Sequence, residues 1–133
     1  MLGRHPTSSS EAMLQRAYAG FSWGMVLLGI VHMAATTRFF DSLTQSALWF
    51  ASAGIAIVLA GALNLLNRRY GEAAPGLRRV CVGANLVMTA FGLAAGLVGR
   101  ATAGELVIVV GLTAGAAALS TLRAPLLPSR AAV

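Results

Sequence analysis

The chain has 133 residues, of which 57% are hydrophobic and only 11% charged, with a mean hydropathy of +0.76. A water-soluble domain carries about a quarter charged residues, so this composition belongs in a lipid bilayer. The net charge of +6 and pI near 11.4 do not read as nucleic-acid binding. There is no Lys, most arginines stand at the ends of apolar runs, and no basic stripe interleaves with aromatics.

Residues 1–16 form a short polar tail. Ser8 and Glu11 have the capping-box spacing, which predicts a helix that begins near Ser9 and runs into the apolar segment. Span one, residues 17–37, carries no formal charge but contains His32. Gly20 and Gly24 form a small-xxx-small pair suited to close helix packing. Arg16 ahead of the run, with Ala34 or Ala35 near its end, has the outline of a signal peptide. The run is longer than an h-region of about 7–15 residues, and span one is expected to be retained.

Residues 38–45 connect the first two spans, and Phe39 and Phe40 are expected at headgroup level. Thr44 or Ser46 can cap the next helix. Span two, residues 46–66, opens with Trp49 as an interfacial anchor. Ser52, Ala56, Ala60 and Asn64 recur every fourth residue and predict a small-residue ridge. In the loop 67–77, Gly71 and Pro75-Gly76 are turn signals. Together with Arg68, Arg69, Arg78 and Arg79 it is the most basic part of the chain.

Span three, residues 80–99, is uncharged between Arg79 and Arg100 and about 30 Å long as a helix, the thickness of bilayer hydrocarbon. Cys81, Asn85, Thr89, Gly92, Gly96 and Gly99 fall in one stripe about 80° wide, small or polar throughout. It predicts a face turned toward sibling helices, with Asn85 and Thr89 inward; a substrate path is the sharper alternative. The single Cys81 excludes an intrachain disulfide and a cysteine metal cluster. Span four, residues 102–122, places Gly104, Gly111, Gly115 and Ala118 on one face, with Glu105 about 100° away. Pro125 and Pro128 stop it in the tail 123–133.

Four spans put both termini on one side. Eight arginines fall on that side or in the central loop and two, Arg38 and Arg100, on the other. The positive-inside rule then makes both termini cytoplasmic. His32 and Glu105 fall in the outer part of the bilayer, and a closed bundle of neighbouring spans one and four would let them meet. Each also has a simpler role. Glu105 complements the dipole at a helix start, and His32 donates one bond to a neighbouring helix. For His32 a proton-linked role and a haem or metal ligand are the alternatives. Asn64 and Asn85 fall at similar depth in adjacent spans and are expected to hydrogen-bond as helix glue. No nucleotide-binding glycine loop, Cys pair, His-x-x-x-His, Asp pair or Ser/His/Asp constellation is present.

Gly29-x-x-His32, Leu48-Trp49-Phe50 and Gly61-x-x-Asn64 give roughly residues 20–67 a pattern that resembles small four-span bacterial inner-membrane proteins of uncharacterised role. The general shape is similar to DoxX-type membrane proteins. The resemblance implies an inner-membrane location but no activity, and no functional residue is carried across. Small multidrug transporters also have four short spans but place an essential Glu in the first helix, where this chain has none.

The expectation is an all-α, four-helix transmembrane bundle running up-down-up-down, with both termini cytoplasmic, in a bacterial cytoplasmic membrane. The bilayer and a homo-oligomer or larger membrane complex are the expected partners, and nucleic acid is not. The leading role is a non-enzymatic accessory or scaffold subunit. The alternatives are a proton-linked transporter or channel using His32 and Glu105, and a lipid-, quinone- or haem-binding oxidoreductase subunit.

Overall fold

The computed structural model describes residues 9–99 and 101–121. Four helices follow one another in them: α1 (Ser9–Phe39), α2 (Gln45–Tyr70), α3 (Pro75–Gly99) and α4 (Ala103–Ser120). All four are long and apolar enough to cross a membrane, the make-up of a small multi-pass membrane protein. Arg4, His5, Ser8, Arg100 and the C-terminal tail with Arg123, Pro125, Pro128 and Arg130 lie outside the described residues. At 1.5 Å per residue, the 31 residues of α1 reach about 46 Å and the 18 of α4 about 27 Å. The excess of α1 over a hydrocarbon core of about 30 Å matches its polar first turns around Glu11 and Arg16.

The helix ends follow local chemistry. Thr44 caps α2 by accepting from Ala47 N at 3.2 Å. Thr102 and Glu105 form a full capping box at the start of α4. Pro75 and Gly76, expected in the loop, instead open α3. A proline at the first helical position loses no hydrogen bond, because the N–H it lacks would have had no intrahelical partner. α2 also runs one turn past its expected end and takes Asn67, Arg68 and Arg69 into that turn.

Every neighbouring pair is antiparallel. On α1 and α2, a Cβ built on Gly29 would stand 2.6 Å from the Gly54 carbonyl oxygen, and one on Gly61 2.8 Å from the Ser22 carbonyl oxygen. These two backbones touch because glycine lets them, the usual means of packing helices in lipid, where apolar burial supplies no drive. Gly24 lies against Leu112 and Gly115 against the Phe21 ring, joining α1 to α4. Gly92 meets Val109 and Gly96 meets Leu106, joining α3 to α4. The amides of Asn64 and Asn85 join α2 to α3. Met25, Ile57, Ala60 and Ala116 form the apolar centre, with Leu28, Met88 and Leu112 against it.

Several predicted packing residues turn outward. Gly20, Gly99, Gly104 and Gly111 have no other side chain or helix within 4 Å of a Cβ position. Ser52, Ala56 and Ala118 are exposed. On α1 and α2 the true contact stripes are Ser22, Met25, Gly29 and Gly54, Ile57, Gly61, Asn64. On α4 they are Thr113, Ala116, Ala117 and Ser120. A count by fours drifts about 40° per step around a helix turning 100° per residue, so a ridge read that way leaves the interface after two turns. The α3 stripe faces the other helices only in part: Cys81 and Asn85 are buried, Thr89, Gly92 and Gly96 half-buried, and Gly99 exposed.

Candidate functional site: a buried amide cluster

The strongest concentration of polar chemistry lies inside the bundle, toward the end that carries the α2–α3 turn. Asn64 is at its centre, with no exposed surface. Its Oδ1 accepts from the Tyr18 hydroxyl at 2.8 Å, from Asn85 Nδ2 at 2.9 Å and from the Cys81 thiol at 3.3 Å. Its Nδ2 donates to Asn85 Oδ1 and to the Ala60 carbonyl, both at 2.8 Å. Asn64 and Asn85 therefore form a reciprocal amide pair. Asn67 Nδ2 donates to the Tyr18 hydroxyl at 2.9 Å and to the Ser120 carbonyl at 3.2 Å. Residues from all four helices meet in one hydrogen-bonded group.

The local reasons are simple. On α1, Tyr18, Ser22, Met25 and Gly29 share a stripe, and the Ser22 hydroxyl donates back to the Tyr18 carbonyl at 2.7 Å. On α2, Asn64 and Asn67 lie three residues apart on the inner face. On α3, Cys81 and Asn85 lie four apart, and the Thr89 hydroxyl donates to the Asn85 carbonyl one turn on, at 2.8 Å. Nearly every donor and acceptor is used, and in a medium without water that is what makes such a group tolerable. The exception is Asn67 Oδ1, buried without a hydrogen-bond partner, which lies against Gly71, the C-cap residue of α2.

No match to this chain exists among protein-family models, curated proteins or solved structures. The chemistry therefore has to be read from the cluster itself. Neutral amides, a phenol and a hydrogen-bonded thiol offer no acid–base pair. Among the described residues no three His, Cys, Asp or Glu side chains come together as a metal site. The two best-formed depressions are shallow apolar grooves along the α3–α4 seam, one lined by Leu93, Leu106 and Val110 and the other by Val82, Leu86 and Ala114. The cluster is suited to fixing helix register; it lines neither groove.

His32 and Glu105 are not brought together. Glu105 is exposed and spends Oε2 on the Thr102 backbone N–H at 2.7 Å and hydroxyl at 2.9 Å. His32 reaches α2 by stacking on the Phe50 ring, centroids 4.0 Å apart and planes at 17°, while its Nε2 is buried with no hydrogen-bond partner. Phe39 and Phe40, expected among headgroups, pack on the same Phe50 ring at 5.8 Å. Trp49, Arg68, Arg69 and Arg79 are exposed, and Arg78 is half-buried.

The sequence reading found Asn64, Asn85 and Cys81 but missed Tyr18, Asn67 and Ser120. Two signals were available. Tyr18 opens a stripe of small and flexible residues at spacings of four, three and four, and Asn67 repeats Asn64 three residues on. The arginines after Asn67 masked it by marking a loop.

Proposed function

We propose that this chain is a non-enzymatic accessory or scaffold protein of a bacterial cytoplasmic membrane, with both termini cytoplasmic, acting in a homo-oligomer or larger membrane complex. One observation carries the reading. Gly104 and Gly111, two turns apart on one face of α4, have open space around them. A glycine face within a span is a means for a second helix to approach, and it is of no use against lipid. The interior adds support, because the amides of Asn64 and Asn85, the Tyr18 hydroxyl and the Cys81 thiol are spent on one another. The test is the mass of the intact assembly extracted from native membrane. A second copy or a partner protein should be present and should be lost in Gly111→Leu. A bare monomer from gently solubilised membranes would overturn the proposal.

A second reading rests on His32. Its buried, unpartnered Nε2 beside Phe50 is the kind of group a quinone carbonyl or a haem iron takes. A visible spectrum and a solvent extract of the purified protein check it. A Soret band or co-purifying quinone, lost in His32→Ala, supports it; absence of both removes it.

A further inference from the structure

We propose that the end of the α3–α4 seam nearest the α2–α3 turn is a binding site for one anionic phospholipid, its headgroup held by the arginines of that turn and an acyl chain laid in the seam. Arg68, Arg69, Arg78 and Arg79 gather within twelve residues, with Glu72 the sole acidic residue among them. Among the described residues none of the four is in an ion pair, and Arg69 is instead placed over the Tyr70 ring, 5.3 Å from its centroid. Arg78 Nε is buried and has no hydrogen-bond partner. A guanidinium that no carboxylate claims is suited to a phosphate, because arginine's donors lie in a planar fork.

The groove begins one turn beyond Arg78. It holds about 410 Å³ and is lined by Val82, Leu86 and Thr89 on α3, by Ala114 and Ala118 on α4, and by Thr121, the C-cap of α4. Arg78, Val82, Leu86 and Thr89 share a stripe about 80° wide on α3, so Arg78 heads the same helix face that walls the groove. The groove's α3 wall, from Val82 to Thr89, rises about 10 Å, the larger part of the hydrocarbon depth of one leaflet, about 15 Å. The α4 wall is mostly small residues, which leave the width of a hydrocarbon chain. Positive charge one turn before the groove and an apolar groove about 10 Å long fit a phospholipid with a net negative headgroup, the first part of its acyl chain lying in the groove. A soluble phosphate would gain nothing from the groove, and a helix would gain nothing from the charge.

The test uses the full chain in non-ionic detergent, with native mass spectrometry to follow retained lipid. Phosphatidylglycerol should bind at one site about tenfold more tightly than phosphatidylcholine with the same chains. Arg78→Gln and, independently, the exposed Arg79→Gln should each weaken phosphatidylglycerol about fivefold, as expected for one basic residue near a membrane surface. Ala118→Phe, which fills the groove from its lipid-facing side, should weaken both lipids. Arg38→Gln, in the last turn of α1 at the opposite end of the bundle, should change neither. The inference is overturned if the two lipids bind alike, if both arginine variants retain wild-type selectivity, or if inorganic phosphate displaces the lipid. Because the readout is lipid retention by the purified chain, it is separate from the oligomer measurement above.

Discussion

Replacing Asn64 by Val removes the amide at the centre of the bundle while keeping a side chain of similar size. Three strong bonds to other helices go with it: one from Tyr18 on α1 and two shared with Asn85 on α3. Interhelical hydrogen bonds in membrane proteins are worth about 0.6 kcal/mol on average and up to about 1.7, so the loss is about 2–5 kcal/mol. Part of that is the cost of leaving Asn85 buried with its amide unpaired. The pair can be isolated with a double-mutant cycle. Asn85→Val alone removes the same two amide bonds but leaves Asn64 held by Tyr18 and the Ala60 carbonyl. Because each single variant loses the shared pair, the two single losses together should exceed the double loss by about 1–3 kcal/mol. Reversible unfolding in mixed micelles titrated with sodium dodecyl sulfate, followed by circular dichroism, measures all four corners of the cycle. The reasoning is refuted if Asn64→Val costs less than about 0.5 kcal/mol, or if the two substitutions simply add.

The same unfolding titration checks two further expectations. In Gly61→Ala the new methyl meets backbone atoms of Ser22 and Val26 at 2.8 and 3.0 Å, which cannot move without parting α1 from α2; a loss of about 1–3 kcal/mol is expected. Gly20→Ala meets nothing within 4 Å, and better helix propensity should make it neutral or stabilising by up to about 1 kcal/mol. A like effect at both sites would contradict the assigned contact face. Gly71→Ala drives a methyl into the Asn67 amide, which must then leave Tyr18 and Ser120. Gly71 has φ −62°, an ordinary helical value, so a cost of about 1–3 kcal/mol should come from the clash alone. An Asn67→Ala background should relieve the side-chain part of that cost and keep the rest, because the methyl also meets the Asn67 carbonyl oxygen at 2.5 Å.

What could be read in advance was set by lipid as a solvent. Uncharged runs of about twenty residues between arginines gave the number of helices, and Thr44 marked one of their starts, because these depend on local chemistry. The Thr102–Glu105 box that starts α4 was not read from the sequence, where Glu105 stood only as a carboxylate near a helix start. The faces were harder. In water an apolar stripe marks the buried side of a helix, but here the lipid-facing side is equally apolar, and only small or polar residues mark the interior. Those markers are ambiguous one at a time. Gly29 and Gly20 look alike in the sequence, yet the first touches the Gly54 backbone and the second has open space. Tyr18 looked like part of an apolar run although its hydroxyl links Asn64 and Asn67. The pairing of His32 with Glu105 went too far for a related reason. Depth can be computed along each helix, but the direction a side chain leaves the axis cannot, and Thr102 offered Glu105 a partner three residues away.

The bundle is unevenly tied. α1 and α2 are joined by backbone contact at Gly29, Gly54 and Gly61, a type of contact that a change in packing cannot loosen gradually. α3 buries only Cys81 and Asn85, both within its first three turns and both held by Asn64. Beyond Thr89 it is held to α4 by side chains resting on Gly92 and Gly96. The amide cluster therefore fixes the near end of α3, and its far half depends on weaker contacts. If so, losing the amide pair should free α3 from α2 before α1 parts from α2. Amide exchange in Asn85→Val should rise first along α3, in residues 78–99, while residues 22–29 and 54–61 stay protected. Uniform loss of protection across all four helices would mean that the bundle is a single cooperative unit, and that the amides hold the α1–α2 pair as firmly as its glycines do.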